Sequence, residues 1–385
     1  MQSRLRDHFF NRRRKQRKQR ERAFVENGGK LLEKLIVCCN GKPIPIRTFS
    51  AQQLRQATNN YSEHLGKYWY KGSFEGRSIL TRHSSDYLAI NDLMISAQMS
   101  AHSNVLKPIG CCLETPFPIF VYEFAANGFL ADRIYVSLVT KRQHQPMVWE
   151  RRLKIARQIA HAISYLHTAF ERPVIYMAID MENIFLDEHD VPKLSNFLVS
   201  VSIPEGETDV EVYHGFRNLR FCSPELKATG KVNEKSDVYS FGWFLLELLT
   251  GEDSYNITRL TIDEDSTLVA YTHDRAQSSS INEIVDPTIL AEDGEGGATL
   301  EQQLQAFLDL ASSCTEEDPQ RRPTMVDVTK QLRRIERLGE EHLGNLQNLK
   351  LHESFEEHPS ASFKRNVSND ESQAVKEVSE RPLEA

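Results

Sequence analysis

The segment SDVYSFGWFLLELLTG, residues 236–251, is apolar on nearly every side when it is wound into an α-helix. Its apolar residues are Val238, Phe241, Trp243, Phe244, Leu245, Leu246, Leu248 and Leu249. A helix on the surface of a domain carries one apolar stripe and one wide polar face, and this segment has no such polar face. It therefore predicts a helix that is enclosed by the rest of a large domain.

The predicted secondary structure changes after about residue 124. The chain is predicted to be mostly helical from Asn127-Gly128 to Leu338, with an amphipathic helix over 149–167. Before this region we expect short strands from residue 48 onward, including one at Ile119–Phe124. We also expect two helices there, Ser50–Thr58 and Tyr87–Ala101, and Ser50 is the predicted N-cap of the first helix. A strand-rich first third followed by a helical remainder predicts an α+β, two-lobed architecture.

The charge of the chain is distributed unevenly. The 385 residues have a net charge of −7, but residues 1–22 alone carry +8 and residues 342–385 carry −3, which leaves −12 for residues 23–341. With 40% apolar residues the chain can bury a sizeable core, which excludes disorder throughout. We call residues 1–22 the basic head and interpret them as a helix of arginines or a disordered arm. The basic head could contact acidic lipid or an acidic protein face, whereas nucleic acid is not expected because the body is acidic.

Cysteine usage and hydropathy bound the class of protein. Six cysteines without a CxxC spacing predict reduced thiols rather than disulfides or a zinc site, and the apolar runs are too short to span a membrane. We expect a soluble, cytoplasmic protein, with weak contact to the inner face of the plasma membrane through the basic head as an alternative.

We divide the chain into four predicted regions. They are a basic N-terminal extension (1–45), a strand-rich N-lobe (46–123), a helical C-lobe (124–341) and a polar, disordered tail (342–385).

Five fragments, in the same order along the chain, resemble the plant receptor-like kinase family. They are Phe49–Tyr61 (FSAQQLRQATNNY), Gly110–Glu114 (GCCLE), Val121–Phe124 (VYEF), the 236–251 segment and Arg322–Met325 (RPTM). The resemblance implies a two-lobed protein-kinase-like fold. It also makes every departure from the kinase motifs informative.

The first departure lies in the glycine-rich loop that covers the phosphates of ATP in active kinases. The segment LGKYWYKG, residues 65–72, keeps Gly66 but places Tyr68 and Trp69 where the motif has glycines. We expect their bulk to obstruct the phosphates. The alternative is a divergent hairpin that still admits nucleotide.

The lysine that pairs with the phosphates and its glutamate partner align with Arg82 and Asp92. These two residues could form a forked ion pair between a strand and a helix. We interpret the pair as a structural tie, because Arg does not replace Lys conservatively in a phosphate contact.

The catalytic loop is replaced most extensively. The segment IYMAIDMENIFLD, residues 175–187, aligns without a gap to the motif H-R-D-x-K-x-x-N-I-L-L-D. The family's His, Arg, catalytic Asp and Lys become, in order, Tyr176, Met177, Ala178 and Asp180. Of the motif's functional residues only the metal-binding Asn is retained, as Asn183. The methyl group of Ala178 cannot accept a proton from a substrate hydroxyl.

The magnesium-binding D-F-G motif aligns with Asn196, Phe197 and Leu198. An amide replaces the carboxylate that magnesium prefers, so the resemblance implies no metal site and no cofactor. ATP binding is in doubt at the five remaining nucleotide-site positions, which are Gly66, Arg82, Asp92, Asn183 and Asn196.

Three positions match the family's structural residues. Glu225 resembles the acid that closes the activation segment, Arg322 its buried ion-pair partner, and Asp237 the helix acid that anchors the catalytic loop.

The whole pattern is similar to the ZRK group of receptor-like cytoplasmic pseudokinases. The resemblance implies an adaptor in plant innate immunity, active in effector-triggered immunity. It would bind a coiled-coil NLR receptor and sense pathogen effectors or receptor-like cytoplasmic kinases that effectors have modified. The alternatives are a weak or unconventional Ser/Thr kinase that uses Asn183 and Asn196 for metal, and a nucleotide-gated switch without catalysis.

Overall fold

The computed structural model describes residues 2–39, 44, 46–84, 88–135, 147–218, 221–254, 267–272, 281–291 and 297–339. The predicted tail, residues 342–385, lies outside this description. The two-lobed α+β architecture predicted from the sequence is confirmed, with the strands of one sheet before residue 124 and, apart from the helix at residues 2–39, the long helices after it.

The basic head and the residues that follow it form one helix, α1 (Gln2–Cys39). The head is therefore a helix and not a disordered arm. The second half of α1 packs on the N-lobe: Leu31 and Leu35 contact its apolar core. Asn27, which is 1% exposed, donates from its amide to the carbonyl oxygens of Leu113 (3.0 Å) and Thr115 (2.9 Å).

The N-lobe is built on one six-stranded sheet. Its strands are β1 (Arg47–Thr48), β2 (His64–Gly66), β3 (Trp69–Phe74), β4 (Arg77–His83), β5 (Pro108–Cys112) and β6 (Ile119–Glu123). Their order across the sheet is β1-β5-β6-β4-β3-β2, and every pair is antiparallel except β1 with β5. Position 110 must be glycine, because a Cβ there would lie 2.0 Å from the carbonyl oxygen of Arg47 on β1.

Two helices complete the N-lobe. The first, α2 (Ala51–Ala57), begins as predicted after Ser50, whose hydroxyl accepts from the Gln53 backbone in a capping box. The second, α3 (Ala89–Gln98), lies two to three residues inside its predicted bounds and buries eight of its ten residues. It carries Asp92 toward the cleft between the lobes.

The C-lobe contains the remaining helices. They are α4 (Ala131–Ile134), α5 (Trp149–Thr168), α6 (Pro224–Thr229), α7 (Glu234–Thr250), α8 (268–272), α9 (Pro287–Leu290), α10 (Gly297–Cys314) and α11 (325–339). Short 3₁₀ helices occur at Met181–Asn183, His214–Asn218, Ile281–Glu283 and Pro319–Arg321.

Helix α7 is the apolar segment quoted first, and it is enclosed as predicted. Its side chains at Phe241, Leu245 and Leu249 have no exposed surface. Gly242 allows the end of α10 to approach closely, since a Cβ at this position would lie 2.9 Å from the Cβ of Cys314.

Short strands in the C-lobe hold the loops that face the cleft. These strands are β7 (Val174–Ile175), β8 (Ile184–Leu186), β9 (Pro192–Leu194), β10 (Val201–Ser202), β11 (Val210–Glu211) and β12 (Lys231–Val232). They pair antiparallel as β7 with β10, β8 with β9 and β11 with β12. The loop from β7 to β8 carries Ala178 and Asn183, and the chain after β9 carries Asn196.

None of the helices in the described part of the chain combines the length and the apolar character that a membrane crossing requires.

Candidate nucleotide cleft

Arg82, on β4, divides its guanidinium between the two lobes. Its Nη1 donates to Oδ2 of Asp92 on α3, and its Nη2 donates to Oδ1 of Asn196 at 2.6 Å. The sequence suggested that both branches of the fork could bind Asp92. In the structure one branch serves Asp92 and the other serves Asn196, because the loop after β9 lies within reach of the same guanidinium.

Asp92 is almost completely buried, with 1% of its side chain exposed. Besides Arg82, its carboxylate accepts from the hydroxyl of Tyr122 (2.9 Å) and from the backbone N–H of Phe197 (2.7 Å). Burial raises the pKa of Tyr122 well above its ordinary value, and the Asp92 charge raises it further. The phenol is therefore a permanent donor to this carboxylate near neutral pH.

The two asparagines at the metal-binding positions bond to each other. The amide nitrogen of Asn196 donates to Oδ1 of Asn183 at 2.9 Å. The amide nitrogen of Asn183 in turn donates to the carbonyl oxygen of Ala178, also at 2.9 Å. Together with Arg82 and Asp92, these groups form a continuous chain of hydrogen bonds across the cleft. We call these five residues, from Asp92 to Ala178, the cleft chain.

Aromatic rings fill the space below the hairpin formed by β3 and β4. Trp69 is 7% exposed, and its ring lies 4.8 Å from that of Phe185 on β8 and 5.4 Å from that of Tyr122, centroid to centroid. The ring of Phe129 lies 4.3 Å from that of Phe185, centroid to centroid. Gly66 faces this cluster, since a Cβ there would approach Phe129 to 2.9 Å.

The structure changes the interpretation of the glycine-loop residues. Tyr68 was expected to obstruct phosphates together with Trp69, but it is 41% exposed and its backbone has φ 125°. Only Trp69 turns inward. Its partner Phe185 was missed, although a signal was present: Phe185 stands at a leucine of the N-I-L-L-D motif.

The catalytic-loop backbone is held by Asp237 on α7. Its carboxylate accepts from the backbone N–H groups of Tyr176 and Met177, each at 2.8 Å, and lies 2.8 Å from Nε2 of His167. Met177 has φ 63°, in the left-handed region that costs a non-glycine residue roughly 1–2 kcal/mol. The bonds to Asp237 offset this cost and keep the loop in one conformation.

Two side chains of this loop form hydrogen bonds to backbone groups. Tyr176 is fully buried and donates its hydroxyl to the carbonyl oxygen of Ser195 at 2.5 Å. Asp180 accepts from the backbone N–H of Glu182 at 2.9 Å and so caps the following 3₁₀ helix. Ala178, which is half-buried, offers only a methyl group where the family has its catalytic carboxylate.

Glu225 and Arg322 form a bidentate ion pair in the C-lobe. Nη1 and Nη2 of Arg322 donate to the two carboxylate oxygens of Glu225 at 2.8 and 3.0 Å. Burial alone would raise the pKa of Glu225, but hydrogen bonds, chiefly from Arg322, outweigh it and the pKa lies below its ordinary value. Arg322 also donates to the carbonyl oxygens of Glu316 and Lys235, so the pair joins the activation segment to the chain before α11.

Metal ligands are not grouped in the part of the chain that the structure describes. No set of three or more His, Cys, Asp or Glu side chains there is placed to hold a metal ion.

Comparison with known proteins places these features in a family. A family model described as protein tyrosine and serine/threonine kinase matches residues 80–332. The non-functional pseudokinase ZED1 of Arabidopsis thaliana is 38% identical over 344 residues, which cover 84% of this chain and 99% of the relative.

Two further relatives from the same plant differ in what their names say of activity. The non-functional pseudokinase ZRK2 is 37% identical over 335 residues, covering 83% of this chain and 91% of the relative. The serine/threonine-protein kinase ZRK1 is 35% identical over 339 residues, covering 84% and 95%. The chain therefore belongs to the protein-kinase family and, within it, to the ZRK group of kinases and pseudokinases.

Proposed function

We propose that this chain is a catalytically inactive kinase-fold adaptor in plant innate immunity. It binds a coiled-coil NLR receptor and senses pathogen effectors, or receptor-like cytoplasmic kinases that effectors have modified. The observation that carries the inactive state is the cleft chain, in which the groups aligned with nucleotide and metal ligands bond to one another.

The cleft chain removes the ligands that a nucleotide would need. Both Nη groups of Arg82 already donate hydrogen bonds within the cleft chain. Asp92 supplies the only carboxylate of the cleft chain, and this carboxylate already accepts from Arg82, Tyr122 and the backbone of Phe197. Magnesium requires oxygen ligands in near-octahedral geometry and prefers carboxylates and phosphates. Two amides bonded to each other do not fit this requirement, so Mg-ATP is not expected to bind here.

The rings of Trp69 on β3 and Phe185 on β8 leave no room for a base between them. A planar base stacked between two side chains needs about 7 Å between them, since each contact takes about 3.5 Å. The rings of Trp69 and Phe185 are 4.8 Å apart at their centroids. A base could enter between these two rings only if one of them moved.

Ala178 removes the remaining route to phosphate transfer. A positioned general base contributes about 10²–10⁴ in rate, and active kinases turn over at roughly 1–100 per second. Two further changes accompany the loss of the base. Asp180 places a negative charge where the family has the loop lysine, and Asn196 replaces the carboxylate that binds the metal. Effects of this kind are not additive, but together they make phosphate transfer negligible.

An adaptor needs the fold without the chemistry, and the structural residues here support that role. Asp237 still holds the loop, and Arg322 still pairs with Glu225. Relatives with similar sequences are named non-functional pseudokinases. The NLR receptor and the sensed partners follow from the resemblance to the ZRK group.

Phosphate transfer from radiolabelled ATP tests the inactive state. The purified full chain, with Mg²⁺ or Mn²⁺, is expected to label neither itself nor a general substrate above the level of an Arg82→Ala variant. Labelling that is lost in Arg82→Ala would overturn the proposal.

Affinity purification from plant tissue tests the adaptor role: an NLR receptor should co-purify, and added ATP should not release it. Recovery of substrates or nucleic acid without an NLR would contradict it.

A weak Ser/Thr kinase is the second candidate, because the relative ZRK1 is named a serine/threonine-protein kinase. Thermal stability separates the inactive adaptor from a nucleotide-gated switch, because only the switch must bind ATP. Ligand at 100 times its Kd stabilises the folded state by about 2.7 kcal/mol, so a melting temperature unchanged at millimolar ATP excludes the switch.

A further inference from the structure

Helix α1 has two apolar faces in its second half, and only one of them is covered. Leu31 and Leu35 face the N-lobe core. On the other side, Val25, Leu32 and Ile36 are 72%, 58% and 57% exposed. Single exposed apolar residues are ordinary, but these three lie at spacings of seven and four, which places them on the same side of the helix.

Basic residues extend the same face toward the N-terminus. Residues seven apart in a helix lie on nearly the same side, so Lys18 lies in line with Val25 and Leu32. Arg14 and Arg22 lie one turn before and one turn after Lys18, and all three basic side chains are exposed. We call the six residues together (Arg14, Lys18, Arg22, Val25, Leu32 and Ile36) the outer face of α1. It is about 33 Å long at 1.5 Å per residue.

The packing of α1 fixes the direction of this face. Asn27 is buried and bonded to two carbonyl oxygens in the loop after β5, and Leu31 and Leu35 follow it on the same side. The outer face must therefore point away from the N-lobe. Its basic and apolar residues are presented together without any rearrangement of the domain.

The chemistry of the outer face matches one kind of surface. Residues 12–22 carry eight Lys or Arg and one acid, Glu21, which pairs with Arg17. Anionic lipid headgroups attract such a segment, and the acyl boundary beneath them accepts exposed Val, Leu and Ile. Nucleic acid would use the charges but leave the apolar half in water. A protein groove that accepts a helix takes a compact apolar stripe, whereas here charge and apolar residues follow each other along the axis. We infer that the outer face of α1 binds an anionic lipid bilayer.

Vesicle co-sedimentation of the full chain tests this inference. The chain should bind vesicles of phosphatidylcholine with 30% phosphatidylserine and bind pure phosphatidylcholine much more weakly. The triple variant Arg14→Glu, Lys18→Glu, Arg22→Glu should lower the partition coefficient at low salt by at least about 100-fold, since each basic residue near such a surface contributes roughly a factor of five.

A matched control changes the same net charge elsewhere. Lys154, Arg333 and Arg334 are exposed on α5 and α11, and their triple replacement by Glu should leave binding nearly unchanged. Circular dichroism of both triple variants verifies that they are folded. Equal loss of binding in the two triple variants, or equal binding to neutral and anionic vesicles, would overturn the inference.

The apolar half has its own test. Leu32→Gln with Ile36→Gln should reduce binding by at least about tenfold, since burial of two methylene groups already corresponds to that factor. Leu338→Gln, at a 38% exposed site on α11, is the control. Unchanged binding in the double variant, or tighter binding to polyuridylate than to the anionic vesicles at the same salt, would contradict a lipid surface. This inference does not depend on the adaptor role.

Discussion

Arg82→Met should destabilise the folded chain by about 3 kcal/mol. Removing one partner of a buried ion pair costs about 3–5 kcal/mol, because the other charge stays buried without compensation. Asp92 is 1% exposed and Arg82 is 12% exposed, which places the pair in this range. Tyr122 and the Phe197 N–H continue to donate to Asp92, so we expect the lower end.

Urea unfolding followed by tryptophan fluorescence measures this loss as a lower midpoint at an unchanged slope. Arg55→Met is the matched control, since Arg55 is exposed on α2 and its loss should stay within about 0.5 kcal/mol. Arg82→Lys should fall between the two, because lysine keeps a charge near Asp92 but cannot also reach Asn196 as a fork. If Arg82→Met cost no more than Arg55→Met, the cleft chain would not be a structural tie and the reasoning would fail.

Three further predictions concern other parts of the chain. Gly28→Ala should slow hydrogen exchange of α1 amides by about two- to fivefold, because a Cβ there meets nothing within 4 Å and alanine favours a helix by about 0.5–1 kcal/mol; unchanged exchange would contradict it. In urea titrations, the stability that Glu225 contributes should be present above about pH 4.3, its unfolded pKa, and be lost as the pH falls through its lowered folded pKa. Arg322→Met should abolish this component, and a persisting component would disprove the assignment. Cys111 and Cys314, whose pKa values burial raises to about 12, should resist a thiol reagent at pH 8 until the chain unfolds, which peptide mass spectrometry detects; fast labelling of the folded chain would refute their burial.

Local sequence signals predicted the elements of this fold well. Ser50 marked the start of α2 through its capping geometry, and the all-round apolar pattern identified α7 as enclosed. Helix α5 begins at Trp149 as its periodicity indicated, and ends one residue beyond the predicted bound. These features depend on neighbours within a few turns, which the sequence displays directly.

The contacts inside the cleft depend on residues far apart in the chain. Arg82 reaches Asn196 across 114 positions, and Trp69 meets Phe185 across 116. Alignment to kinase motifs indicated which residues line the cleft, but it could not indicate which of them bond to one another. The burial of Asn27 was hidden for the same reason, since its partners Leu113 and Thr115 lie 86 and 88 positions away in the chain.

The anchoring of the catalytic loop by Asp237 has a consequence for how such a protein can change. Asp237 binds peptide N–H groups, which every residue except proline supplies, so the shape of the loop does not depend on a carboxylate at position 178. Reactive groups can therefore be lost at that position, or introduced again, without refolding the loop. An attempt to engineer activity would need new side chains at Ala178 and Asn196 and a smaller residue at Trp69, within a backbone that is already in place.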